Sequence, residues 1–347
     1  MLEQTIRESK QPKHHDMPLI AATAGSGIPL GYWAAFSLFV VLALAVDLGL
    51  FHRESREVRF KEAVSWTAVW VAVAMLFAFW VGPKFVPTWT PDWTAKFVTG
   101  YLVELSLSMD NVFVIALIFS YFKVPRTWQH RVLFWGILGA LGMRGVMIWA
   151  GSELVVRFHW LLYLMGAFLV FTGAKMAFAG GDDEDAALEK RTVVRLSRKL
   201  LPFTNSFDGE NFVTRVGGKL RFTPLFLVLI VVETTDVIFA LDSIPAIFGI
   251  TKESFLIFTS NVFAILGLRS LYFVLASAMG YFRYLKYGLA LVLVVIGVKM
   301  LAEHWLEKWL GSQLTNISLA SVIGIILVSM AASMIVAWRE RPASPGS

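Results

Sequence analysis

Apolar residues in this chain neither alternate with polar ones nor mark a single helical stripe. They run in blocks of about twenty, the length that carries an α-helix across a bilayer. Nine blocks stand out, at about 31–51, 65–82, 98–121, 132–150, 160–178, 223–250, 256–279, 287–303 and 317–338. The pattern predicts an all-α polytopic membrane protein of about nine transmembrane helices, with a transmembrane domain over 31–338. Residues 1–30 read as a disordered extracytoplasmic tail, 179–222 as a long cytosolic loop and 339–347 as a cytosolic tail. Within the long loop, an acidic start at Asp182-Asp183-Glu184-Asp185 and a basic continuation through Arg195 and Lys199 suit a short surface helix. Gly217-Gly218 between Phe212 and Phe222 suits a hairpin.

Composition agrees: 57% of the 347 residues are hydrophobic, more than soluble domains carry. The net charge of +6 resides in loops, so it reads as an orientation signal and gives no footprint for nucleic acid. Arg53, Arg56, Arg59 and Lys61 crowd one loop, and Lys123, Arg126 and Arg131 another, whereas Arg157, Lys252 and Lys308 stand nearly alone in the loops between. By the positive-inside rule the N-terminus is outside and the C-terminus in the cytosol, as in a bacterial inner (plasma) membrane. No compact signal sequence opens the chain, so the first span is expected to stay. There is no Cys, which excludes disulfides, thiolate metal sites and redox chemistry of the chain's own thiols.

The spans repeat. Asp110-Asn111-Val112-Phe113 matches Asp236-Val237-Ile238-Phe239, Leu141-Gly142-Met143-Arg144 matches Leu266-Gly267-Leu268-Arg269, and Gly173-Ala174-Lys175-Met176 matches Gly297-Val298-Lys299-Met300. The offsets are 126, 125 and 124 residues. Each copy, 98–178 and 223–303, holds three spans. An odd number turns the second copy upside down, and inverted repeats of this kind build transporters with a site where the copies meet.

The span at 223–250 carries three carboxylates, Glu233, Asp236 and Asp242, together with Pro245. Each intramembrane charge costs roughly 2.5–3.5 kcal/mol on insertion scales, so three in one helix imply an ion or proton path. Glu233 and Asp236 share a helical face, and Asp242 lies about 120° around from Asp236. Pro245 cannot donate to the Leu241 carbonyl, and carboxylates beside unwound carbonyls are a cation-binding device of broken transporter helices. With Asp47, Glu104 and Asp110 there are six candidate buried acids against two bases, Arg144 and Arg269. A dry interior does not hold that excess negative charge without protons or a cation. Carboxylates, carbonyls, Asn111, Asn261 and the hydroxyls of Ser108, Thr235 and Ser243 are hard donors suited to manganese, magnesium or calcium. None of the six His residues falls mid-span. Asp47 reads equally as a cap on the first span, and Glu104 as the partner of an arginine.

The stretches Glu104-Leu105-Ser106-Leu107-Ser108-Met109-Asp110-Asn111 and Val232-Glu233-Thr234-Thr235-Asp236 onward to Ala246 resemble the TerC family of integral membrane proteins. So do Ser260-Asn261 through Phe273, and Gly297-Val298-Lys299-Met300. The likeness runs from about Asp47 to Lys299. The family is named for tellurium resistance, and the resemblance implies manganese homeostasis by efflux from the cytosol. It places Asp110, Glu233, Asp236 and Asp242 at the cation site with Asn111 beside them. Glu104 and Asp47 complete the candidate metal ligands. No cofactor is expected beyond the transported cation, and the expected partners are that cation and the bilayer. Proton exchange would supply the coupling. Two other readings stand beside it, a membrane scaffold acting through the long loop and a tellurite-handling protein. No nucleophile–base set or cofactor fingerprint marks an enzyme.

Overall fold

The computed structural model describes residues 28–51, 60–178, 192–276, 285–310 and 313–339. The side chains of Asp47 and Asp110 fall outside the described ones, as does the acidic stretch Asp182–Asp185. Helices α1 (Leu30–Phe51) and α2 (Phe60–Phe85) come first. Then follow α3 (Pro91–Tyr121), α4 (Arg126–Arg157), α5 (Trp160–Phe178) and a short α6 over 192–200. After the hairpin β1 (Val213–Val216) and β2 (Lys219–Phe222) come α7 (Pro224–Ile250), α8 (Ser254–Leu266) and α9 (Leu268–Ala276). The chain closes with α10 (Leu285–Leu310) and α11 (Gln313–Arg339).

Eight of the nine predicted spans each overlap one helix, and the ninth, 256–279, is divided between α8 and α9, with 277–279 outside the described residues. Among the described residues seven helices are long and apolar enough to cross a membrane. An eighth forms if α8 and α9, bent by 45° at Gly267, count as one broken span. One helix extends beyond its apolar core from a capped start. The Thr90 hydroxyl accepts from the Trp93 backbone N–H just ahead of Pro91, which starts α3 several residues before its apolar run.

The expectation of an unwound α7 is corrected: the helix runs unbroken through Pro245. Proline removes one backbone bond, but every residue from Ser243 to Ile250 is buried. Packing on all sides holds the turn in shape where water would let it open. The break in this half of the molecule lies instead at Gly267, two residues before Arg269.

Helices α3 and α4 each pack against both α7 and α8 and form the centre with them, while α1 and α2 lie to one side against α8 and α9. The most extensive pairing is α5 with α10. A Cβ built on Gly173 would lie 2.7 Å from the Ala290 carbonyl oxygen and 2.8 Å from Val294 Cγ2. One on Gly297 would lie 2.6 Å from the Gly166 carbonyl oxygen and 2.8 Å from Val170 Cγ2. Gly173 and Gly297, Gly166 and Ala290, and Val170 and Val294 are each 124 residues apart. The interface therefore makes one contact twice, with the partners exchanged. Small residues let two backbones meet where lipid offers no hydrophobic drive for association.

At one end of the bundle, the hairpin turns through Gly217 and Gly218, both at positive φ (60° and 77°). A two-residue turn of that hand matches the twist of its strands. Glu210 and Phe212 tie this segment to Arg131 of α4, by an ion pair at 3.6 Å and a ring contact at 5.3 Å. The long loop is thus docked onto the membrane body along its second half.

Valine at Gly173 or Gly297 is expected to destabilise the protein by about 1–3 kcal/mol, as overpacking does, and by similar amounts at the two positions. Alanine at Gly324, where a Cβ meets nothing within 4 Å, is the neutral comparison. Thermal melts in detergent check this. Widely unequal losses at the two glycines would contradict the exchanged contact.

Candidate functional site

A guanidinium lies where the four central helices meet. Arg144 stands mid-way along α4 with its side chain 3% exposed. Its Nη1 donates to Glu104 of α3 and, at 2.9 Å, to Asn261 Oδ1 of α8. On the other side, Nη2 and Nε donate to the two carboxylate oxygens of Asp236 in α7, at 3.1 and 3.3 Å. One planar fork thus joins four helices, the geometry in which arginine outperforms lysine. The Ser108 hydroxyl, one turn along α3, adds a donor to Glu104 at 3.4 Å.

The two carboxylates differ. Glu104 is 2% exposed and Asp236 13%. Glu104 is the buried end of the fork and Asp236 the more accessible end. Glu233 sits one turn before Asp236, near enough to act on its charge. It packs over Gly139 of α4, where any Cβ would strike the carboxylate. Its Oε2 is buried with no hydrogen-bond partner among the described residues. A buried polar group left unpaired is uncommon and asks for an explanation.

The hydroxyls of α7 add oxygen lone pairs. Thr234 and Thr235 each donate back to a carbonyl four residues earlier, at 2.7 Å. Their protons are engaged, so their free lone pairs are acceptors only. Ser243 Oγ is buried with no partner among the described residues.

The structure sorts the sequence-predicted residues. Glu104 and Asp236 come together on Arg144, with Asn261 and Ser108 at hand, and Glu233 lies beside Asp236. Asp242 does not join them: it takes a hydrogen bond from Thr172 of α5, with Lys175 close enough to act on its charge. Asn111 is buried on α3. Among the described residues no three of His, Asp and Glu converge closely enough to hold a metal ion by themselves; the side chains of Asp47 and Asp110 stand outside that statement. Sequence reasoning missed Gly139 as the floor beneath Glu233. The signal was present, since Gly136, Gly139, Gly142 and Gly145 recur every three residues along α4. It also names Lys175 only as part of a repeat motif, without its relation to Asp242.

The sequence profile of the "Integral membrane protein TerC family" matches residues 89–341, most of the chain and all of this cluster. The chain belongs to the TerC family. Among similar proteins, "Uncharacterized membrane protein STKORF319" of Myxococcus xanthus is 47% identical over 314 residues, covering 90% of this chain and 95% of its own. "Putative membrane-bound redox modulator Alx" of Escherichia coli (strain K12) is 45% identical over 319 residues, covering 90% and 95%. An "Uncharacterized membrane protein" of Rickettsia felis is 38% identical over 303 residues, covering 87% and 97%. No solved structure matches. The TerC match begins at residue 89, so it takes in α3 to α11 and leaves out α1 and α2.

Replacing Glu104 by Leu would leave Arg144 half-paired in a dry site, and is expected to destabilise by roughly 3–5 kcal/mol. Glu233→Gln removes a charge whose burial is itself unfavourable, and is expected to stay within about 1 kcal/mol of wild type. Thermal unfolding in detergent separates the two. An equal loss from both would make Glu233 part of the structural lattice.

Proposed function

We propose that this protein exports a divalent metal cation, manganese in the first place, from the cytosol, and that Glu233 and Asp236 lead its ion site. The observation that carries the reading is the Glu233 carboxylate: a buried, unpartnered oxygen inside a membrane span, beside a second carboxylate. A chain that needed Glu233 only for packing would have no use for its charge, whereas an ion path needs an unoccupied oxygen. By the 126-residue offset Asp110 is the counterpart of Asp236 in the other repeat, which makes it and Asn111 the proposed ligands from there, and the acceptor-only hydroxyls of Thr234 and Thr235 are available from α7 itself. All of these are hard oxygen donors, which suit manganese over the softer transition metals. Glu104 serves to hold Arg144. Asp242, on another face of α7, is a second station along the path.

The inverted-repeat reading, with copies at 98–178 and 223–303, draws support from the exchanged contacts between α5 and α10. In such a transporter the two copies rock about a fixed site. Outward movement of a divalent cation against an inside-negative potential costs roughly 4.6 kcal/mol per 100 mV, so export requires coupling. Protons are the natural counter-ion, because a cluster with more acids than bases must neutralise its charge when the metal leaves. The membrane is the inner (plasma) membrane, with the N-terminus outside and the C-terminus in the cytosol, by the loop charges.

The name of the enterobacterial relatives speaks of redox modulation. This chain has no Cys, so a redox effect would have to come through the ion it moves. The scaffold reading would place activity in the long loop and leave the free carboxylate of Glu233 unexplained.

Cells expressing wild type under excess manganese are expected to hold less manganese and grow better than cells with Glu233→Gln, at equal membrane abundance. Elemental analysis of washed cells measures it. Glu233→Gln is the sharper probe, because Asp236→Asn also disturbs Arg144. Equal manganese contents would remove Glu233 from the path. In inverted vesicles, uptake is expected to rise when the interior is acidic relative to the bath; flux indifferent to the imposed gradient would exclude proton exchange.

A further inference from the structure

We propose that Arg144 is a built-in cation that competes with the transported ion for Asp236, and that it swings on Glu104 as it gives that carboxylate up. This rests on the export reading above and adds the element that regulates occupancy of its site.

Three features of the geometry carry the inference. First, the guanidinium is held unequally. The Glu104 contact is buried and is backed by Asn261 at 2.9 Å, whereas the bonds to the more exposed Asp236 are at 3.1 and 3.3 Å. Second, the bonds to Asp236 face the wetter side, since Asp236 is the more exposed of the two carboxylates. Bonds to a partly hydrated carboxylate are the ones an incoming ion displaces at lower cost. Third, Glu233 lies beside that same end with a free oxygen. An ion arriving at Glu233 is one step from Asp236.

The exchange follows from charge. With the site empty, Asp236 is neutralised by Arg144. With a divalent ion present, Asp236 and Glu233 neutralise the ion, and Arg144 keeps Glu104 and Asn261 as partners. Asp236 and Glu104 keep a counter-charge in both states, and Glu233, whose Oε2 has no partner among the described residues, gains one when the ion arrives. Return of the guanidinium to Asp236 then helps expel the ion. Arg144 weakens binding and speeds release, which a transporter needs and a storage site does not.

Arg144→Lys provides the test. It keeps the charge, but a single ammonium lacks the fork that reaches both carboxylates. It stays on Glu104, the buried end, and leaves Asp236 open. Purified wild type and variant are titrated with manganese chloride, and binding is read from the rise in melting temperature, which tracks affinity by mass action. The variant is expected to bind manganese roughly tenfold more tightly or better, the worth of one charge-assisted hydrogen bond, and to transport more slowly in vesicles. Asn261→Ala, which removes one of the two partners the guanidinium keeps when the ion is bound, is expected to weaken binding. A manganese response in both proteins with unchanged or weaker affinity in Arg144→Lys would make the arginine purely structural and overturn the proposal, while leaving the export reading in place. No response to manganese, magnesium or calcium in wild type would remove the export reading, and this proposal with it. An unfolded Arg144→Lys protein transfers the decision to Asn261→Ala, where unchanged or tighter affinity overturns the proposal.

Discussion

A guanidinium at the centre of a membrane protein has no water to fall back on. Every donor it carries must find an acceptor within the protein, and its charge must be met. In this chain Arg144 imposes that demand, and Glu104, Asn261 and Asp236 meet it from three other helices. Elsewhere the packing is permissive, since lipid is as apolar as the helices it surrounds. The arginine's requirement is directional, and it fixes the mutual rotation of α3, α4, α7 and α8 about their axes. Glu233 depends on the same arrangement. Its carboxylate lies over Gly139 only if α4 turns its glycine face toward α7.

Much of this could be read in the sequence because membranes are exacting. Long apolar blocks have few interpretations, so eight of the nine predicted spans each meet one helix. Charges inside such blocks are expensive, so the acids of α7 stood out. The exchanged contacts of Gly173 and Gly297 follow the same offset that the motifs display. Pairing was less legible. Spacing along α7 groups Glu233 with Asp236 and separates Asp242, and the structure agrees, but no spacing could assign Arg144 to Glu104 and Asp236 together. That depends on how four helices are rotated, a long-range property. Pro245 misled for a related reason. Its local effect is to open a helix, yet burial of its whole turn keeps α7 intact. Gly267, which carries no such warning, is where a span breaks.

Two kinds of acid therefore share one small volume. Glu104 is committed to Arg144 and buried. Glu233 is committed to nothing described, and Asp236 stands between them, paired yet partly wet. This gradation from structural to available is what an ion path requires: a fixed frame, a free first contact and a group that can change partners. Membership of the TerC family sets the chain among integral membrane proteins, and the graded acids give that membership a physical content. The absence of Cys directs attention to the ion in place of thiol chemistry.

The most direct test of this account is to locate the ion. Crystals of the purified protein grown with manganese, with diffraction recorded on both sides of the manganese absorption edge, give its position independently of the protein coordinates. The account predicts an anomalous peak within coordination distance of Glu233 and Asp236. Manganese confined to loops or surface carboxylates, with the space beside Glu233 empty at saturating concentration, would contradict it.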